Sequence, residues 1–222
     1  MTRIPQGPKK RGSQHWLQVL ANGPSPVLEA ALPEEVRRGF RWLSPLRADE
    51  FAEYRDDSFL ELVGLTLDRI PRKSFWPARG PVWDGLAVTS SGTVLMVEAK
   101  ANLPELQSPP SKARPRSALL IRQSLDRAKG SFGAPEEADW SNVYYQYANR
   151  LAWLHLLRAE NGVAAYLLFL YFSGASEVAG PASAAEWLPA IDRAHRALRL
   201  GTGPLTPYAL DAFVDVATLA DA

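Results

Sequence analysis

Three ionisable residues stand at a suggestive spacing in the stretch 83–100, WDGLAVTSSGTVLMVEAK: Asp84, Glu98 and Lys100. Two carboxylates converging with a lysine make a hard-oxygen site for Mg²⁺ or Mn²⁺, with an ammonium beside it. Such an ion holds a phosphate oxygen and lowers the pKa of a bound water. The lysine can orient that water or offset charge building on the phosphorus oxygens. The chemistry indicated is phosphodiester hydrolysis. Glu98 and Lys100 are two residues apart, so in a strand they share one face while Ala99 points to the other.

These groups need an element that brings Asp84 back to Glu98, and the stretch reads as a β-hairpin. An apolar run, 86–88, meets a turn at Ser90-Ser91-Gly92 and a second apolar run, 94–97, follows. A three-residue loop with Gly92 left-handed pairs residues whose numbers sum to 182, setting Val88 against Val94, Leu86 against Met96 and Asp84 against Glu98. Opposed side chains have Cβ atoms roughly 4.5–5.5 Å apart, and two carboxylates held so close need a proton or a cation between them. A two-residue loop would put Asp84 and Glu98 on opposite faces, so the site depends on the odd-length turn. The second strand is apolar on both faces, with Val94 and Met96 on one and Leu95 and Val97 on the other. That pattern marks a central, covered strand. The plainer alternative is an exposed hairpin end, where Lys100 forms a surface ion pair with Asp84 or Glu98. Carboxylates about 5 Å apart also suit a glycosidase, a reading that leaves Lys100 without a role.

Asp84, a spacer of thirteen residues and then Glu98-Ala99-Lys100 resembles the signature of the PD-(D/E)xK nuclease superfamily. Trp83 stands where that family carries a proline, and Pro81 lies two residues further upstream. The resemblance implies a restriction-endonuclease-like αβββαβ core over about residues 50–175, a mixed central sheet flanked by helices. The flanking segments would then be N- and C-terminal helical additions, and the whole chain, 1–222, a single nuclease-like domain. The resemblance further implies a metal held by Asp84, Glu98 and the carbonyl of Ala99, a water assisted by Lys100, and DNA as the polymer cut. A helix before the hairpin often gives the family's site another acid, for which Glu61 is the first candidate and Asp57 the second. A later helix often carries a Gln, Tyr or Lys near the scissile phosphate; Gln146 fits, with Arg150 as a phosphate contact. A nuclease fold that has lost turnover and serves as a binding module is the competing expectation.

Composition bounds the rest. The chain has 222 residues with 25 Lys and Arg against 24 Asp and Glu, so any nucleic-acid surface must be a local patch. No cysteine is present, which excludes disulfides and thiolate metal sites and suits a reducing compartment. No apolar run approaches a membrane span and the N-terminus shows no signal-peptide core, so the expectation is a cytoplasmic protein with no membrane partner. A homodimer is compatible with the sequence. The three histidines, His15, His155 and His195, lack any spacing that suggests zinc.

Along the chain, residues 1–13 are rich in Pro, Gly and positive charge and read as a flexible tail. Short helices are expected over 15–20 and 27–32, and an exposed Arg37-Arg38 pair in the mixed stretch after them. A longer helix is expected over 49–67 on the spacing of Leu60, Val63 and Leu67. Residues 70–77 read as the first strand of a meander leading into the hairpin. After Lys100 a Pro-rich loop carries Lys112, Arg114 and Arg116, cations able to follow a phosphate backbone. Pro115 suits the first turn of a helix to about Lys129. Amphipathic helices are expected over 141–161 and 183–200. Between them, VAAYLLFLYF at 163–172 reads as a strand buried on both faces and paired in parallel. A last short helix is expected over 207–219.

Overall fold

The hairpin forms in the expected register. In the computed structural model, which describes residues 3–24, 26–37 and 39–220, Gly85 pairs Val97, Leu86 pairs Met96, Ala87 pairs Leu95 and Val88 pairs Val94. Thr89 N–H donates to Thr93 C=O at 3.0 Å, and Gly92 sits at φ +83°, which closes the loop without the steric cost a Cβ would bring.

In chain order the strands are β1 (Arg3–Ile4), β2 (Arg41–Ser44), β3 (Glu53–Tyr54), β4 (Gly85–Val88), β5 (Val94–Lys100), β6 (Ala165–Ser173) and β7 (Ala209–Asp215). The helices are α1 (Gly12–Asn22), α2 (Pro26–Ala31), α3 (Glu34–Arg37), α4 (Asp56–Leu62), α5 (Arg72–Phe75), α6 (Pro115–Lys129), α7 (Tyr145–His155), α8 (Ala184–Leu198) and α9 (Ala217–Ala220). Five strands form one sheet in the order β2-β4-β5-β6-β7. The pairs β2–β4 and β4–β5 are antiparallel, whereas β5–β6 and β6–β7 are parallel. Helices cover both faces, giving a three-layer α/β architecture with a mixed sheet.

Strand alternation sorts the core into two layers. Met96, Leu167, Phe169 and Tyr171 face the side packed by α4 to α8, with Phe59, Trp83, Trp153 and Trp187 as its largest fillers. Leu95, Val97, Leu168 and Leu170 face the other side, under Leu17 and Leu20 of α1 and Leu28 of α2. All residues of β5 and β6 are buried, as the continuous apolar run at 163–172 requires. Glu98 and Lys100 share parity with Met96, so they emerge on the α7 side at the carboxyl end of β5. That end of a strand is where open α/β sheets place ligands.

Several expectations are corrected. The helix expected over 49–67 is confined to Asp56–Leu62, because Glu50 and Phe51 both turn the chain at φ +53° and leave 53–54 extended. Residues 70–77 do not enter the sheet; Pro71 caps the one-turn α5, whose Phe75 is buried. The meander's outer strand is β2, well upstream of the expected position. The segment expected as a final helix is chiefly β7, which pairs β6 from Leu167↔Ala209 to Ser173↔Asp215, so the C-terminal addition extends the sheet and carries it beyond 50–175. The described part of the tail is tied down: β1 pairs β3, and Arg3 donates to Asp49 at 2.8 Å. Of the Arg37-Arg38 pair, Arg38 lies outside the described residues. Among the described residues no helix is long and apolar enough to cross a membrane.

Candidate metal and phosphodiester site

The backbone builds this site by parting company with itself at Asp84. Thr89 and Thr93 form a hydrogen-bonded pair, and counting back along the ladder makes Gly85 and Val97 another. The next such pair would be Trp83 and Ala99. Trp83 instead turns away and bridges Tyr54, donating its N–H to the Tyr54 carbonyl at 2.9 Å. The freed Ala99 N–H donates to Asp84 Oδ2 at 2.8 Å. Because N–H and C=O of one strand residue point to the same edge, the Ala99 carbonyl lies on the Asp84 side too.

Glu98 is 1% exposed, and each of its oxygens meets a cation. Lys100 Nζ donates to Oε1 at 2.5 Å and Arg150 Nε to Oε2 at 2.6 Å. Lys100 also donates to Gln146 Oε1 at 3.1 Å, and Ser108 Oγ accepts from the Gln146 backbone N–H at 2.7 Å. Asp84, Glu98, Ala99, Lys100 and Gln146 thus line one cleft of about 500 Å³. Arg150 is buried and spends two further donors on Asn149 Oδ1 at 3.0 Å and the Val82 carbonyl at 2.8 Å, with its guanidinium 4.8 Å from the Trp83 ring centre. It therefore holds Glu98 in place with three of its five N–H donors engaged and two remaining, and it borders the hollow beside Asp84.

Of the acids upstream of the hairpin, Glu53 is the one coupled electrostatically to Glu98, and neither it nor Glu61 lines the cleft. Glu61 is exposed on α4 and does not line the cleft, and Asp57 is engaged by Arg72 Nε at 2.6 Å. With the helix starting only at Asp56, Glu53 lies off the helix that carries Asp57 and Glu61. Glu53 sits on β3, 6% exposed, accepting from Gln14 Nε2 at 2.8 Å and Gln6 Nε2 at 3.0 Å. The signal that separates it from Glu61 is the Asp56-Asp57 pair, which suits a helix first turn and so leaves Glu53 upstream in extended chain.

The electrostatics divide the carboxylates. Burial pushes Asp84 well above the usual carboxylate range, and the neighbouring Glu98 charge adds to the rise. Burial also acts to raise Glu98, but Arg150 and Lys100 outweigh it and hold Glu98 below its ordinary value. Burial lifts Glu53 to about 7, against the hydrogen bond from Gln14. Lys100 and Arg150 are spent on Glu98 and Lys9 acts on Glu53, so Asp84 is the carboxylate whose burial and neighbours disfavour its charge most. The donors present fit a divalent cation on this ground: Asp84 Oδ1 has no hydrogen-bond partner among the described residues, Glu98 keeps lone pairs on both oxygens, and the Ala99 carbonyl is adjacent. Among the described residues, no three His, Asp or Glu side chains converge as a ready-made metal cage.

Of the cations on the Pro-rich loop, Lys112 and Arg114 border a hollow contiguous with the cleft, whereas Arg116 is exposed on the first turn of α6 and borders none of these hollows. His155 is buried and bonds Ser131 Oγ at 2.8 Å and Glu160 Oε1 at 3.0 Å, so both its ring nitrogens are partnered. No protein-family model, no curated protein and no solved structure matches the chain.

Proposed function

We propose that the protein is a metal-dependent nuclease with a restriction-endonuclease-like core, hydrolysing phosphodiester bonds in DNA. The observation that carries this reading is the carboxylate–lysine cluster at the end of β5, where Asp84, Glu98, Lys100 and the Ala99 backbone meet in one cleft. The antiparallel β2-β4-β5 pairing, followed by the helices α6 and α7 and a parallel β6, supports the same reading, with β3, α4 and α5 standing as an insertion between β2 and β4.

Asp84, Glu98 and the Ala99 carbonyl would hold Mg²⁺ or Mn²⁺. When bound, the ion would supply Lewis acidity at a phosphate oxygen and a more acidic water. In the hydrolysis a water oxygen bonds to phosphorus, the bond to one nucleoside oxygen breaks, and that oxygen takes up a proton. Lys100 is the group that orients the water and offsets charge on the phosphorus oxygens. Gln146 fixes the Lys100 ammonium from α7, and Arg150 fixes the Glu98 carboxylate from behind.

A second reading, an idle nuclease fold used for binding, is favoured by one feature: both Glu98 oxygens already have cationic partners, so the network is closed without a metal. Calorimetric titration of Mn²⁺ into the wild type and Asp84→Asn separates the two, with DNA present in a repeat in case the site is completed by phosphate. Saturable binding lost in Asp84→Asn, together with DNA cleavage lost in Lys100→Ala, is the outcome expected of the nuclease. Cleavage unchanged in Lys100→Ala would remove the mechanism.

A further inference from the structure

The cleft does not end at the carboxylates. The hollow that holds Asp84, Glu98 and Lys100 reaches Arg11 on one side. A second, of about 510 Å³, shares Asp84, Pro109 and Gln146 with it. A third, of about 550 Å³, shares Trp76, Arg79 and Lys112 with the second and continues to Arg114. The three form one trough with the carboxylates inside its length.

Cations stand at both ends of that trough. Arg11, Arg79, Lys112 and Arg114 are all exposed, and among the described residues the side chain of none of them has a hydrogen-bond or ion-pair partner. Arg72, Arg127 and Arg199 are engaged by Asp57, Glu160 and Glu137; Arg41, Arg116, Arg122 and Arg193 are as free among the described residues, and what sets the four apart is their place along the trough. The Arg79 bank is also held firmly. Asp56 accepts from the backbone N–H of Arg79 at 3.0 Å and of Gly80 at 2.9 Å, and it keeps Arg79 at φ +64°, a conformation that costs an L-residue about 1–2 kcal/mol. Such strain is tolerated where the surroundings over-determine it. Pro109 and Pro110 stiffen the facing wall.

The trough's floor excludes a rigid substrate. Glu98 is 1% and Lys100 8% exposed, so a phosphate must descend between walls to reach them. A duplex carries its phosphates on a stiff rod with a persistence length of about 50 nm, whereas a single strand can bend into a charged groove that tracks its backbone. Building on the nuclease reading, we infer that a single strand of nucleic acid lies along the trough. Its phosphates sit on Arg11 at one end and on Arg79, Lys112 and Arg114 at the other, so the carboxylates meet a bond within the strand and not its terminus.

The test begins with fluorescence anisotropy in EDTA, titrating the full chain into labelled oligothymidylate and into a duplex of equal length. The single strand is expected to bind at least about tenfold more tightly. Arg11→Glu, and separately Lys112→Glu with Arg114→Glu, should each weaken binding and flatten its salt dependence by roughly 0.7 in the log–log slope for every phosphate no longer neutralised. Circular dichroism confirms that each variant is folded. A duplex bound as tightly as the single strand, or a reversal at either end that leaves the slope unchanged, overturns the inference. With Mn²⁺ added, a circular single strand should be cut. A linear strand trimmed while the circle stays intact overturns the internal cut alone. If neither is cut but both reversals weaken binding as expected, the nuclease reading fails and the trough stands.

Discussion

Arg150→Met isolates what the buried network contributes to the fold. Arg150 is 3% exposed and Glu98 1%, with Nε and Oε2 at 2.6 Å. Methionine keeps much of the aliphatic volume but leaves Glu98 with Lys100 as its one cationic partner, and strips the Val82 carbonyl and Asn149 Oδ1 of their donors. Removing one partner of a buried pair costs about 3–5 kcal/mol, because the remaining charge is stranded. In a chain of this size each kcal/mol lowers Tm by about 2–4 °C, so a central loss of ~4 kcal/mol corresponds to roughly 8–16 °C. Thermal unfolding followed by circular dichroism at neutral pH, without divalent ions, measures it directly. Adding Glu98→Gln to Arg150→Met removes the stranded charge and should restore part of the loss, a coupling that a double-mutant cycle reads out. A single variant within about 2 °C of wild type, or a double variant no more stable than the single, would refute the claim that Glu98 is ionised and held by Arg150.

Other outcomes follow from the same geometry. Because burial and Glu98 raise the Asp84 pKa, its ionised form is a burden on the metal-free protein; Asp84→Asn should raise Tm at pH 8 while abolishing Mn²⁺ binding, and a lowered Tm would contradict the repulsion. Glu53 has an ordinary value of 4.5 and a folded value of about 7, so the folded state binds the extra proton between them. Stability is full below 4.5 and falls by roughly 3 kcal/mol as pH rises through 7. Glu53→Gln should flatten the fall in Tm between these limits, and an unaltered pH profile would exclude the burial proposed for that carboxyl. Gly92→Val places a β-branched residue at φ +83°, and should cost about 1–2 kcal/mol in chemical denaturation. Mn²⁺ affinity should stay unchanged, since the turn is at the far end of the hairpin; an affinity that falls with stability would mean the turn holds the site.

What could be read from the sequence was local. The hairpin register followed from an odd loop and one glycine, and α6 began at Pro115 because that ring suits a first helical turn. The run 163–172 reads as a strand buried on both faces, and β6 is one. The misses were non-local. β2 is four residues, RWLS, at a sheet edge, and its partner Leu86-Ala87-Val88 lies more than forty residues on. β7, ALDAFVD, presents Ala212 and Val214 inward at period two, but the same letters suit a helix until β6 offers its edge. Gln146 was identifiable only through the resemblance, and the engagement of Arg150 by Glu98 across 52 residues was not readable at all.

The decisive position between fold and site is Trp83, where the signature's proline is missing. A proline has no N–H for a ladder and ends a strand's pairing for that reason alone. Trp83 has an N–H, so something else must take the chain out of register with Ala99, and two things do. Its N–H is drawn to the Tyr54 carbonyl, and its fully buried ring is packed 5.7 Å from Phe59 and 6.2 Å from Trp153, with the Arg150 guanidinium across its face. Core packing thus does at this position what backbone chemistry would do with proline: it frees the Ala99 N–H for a carboxylate. It also ties site to core, because the guanidinium that covers Trp83 is the one that holds Glu98. The departure from the signature therefore does not weaken the arrangement of Asp84, Ala99 and Glu98. In this chain a cluster of aromatic side chains holds that arrangement.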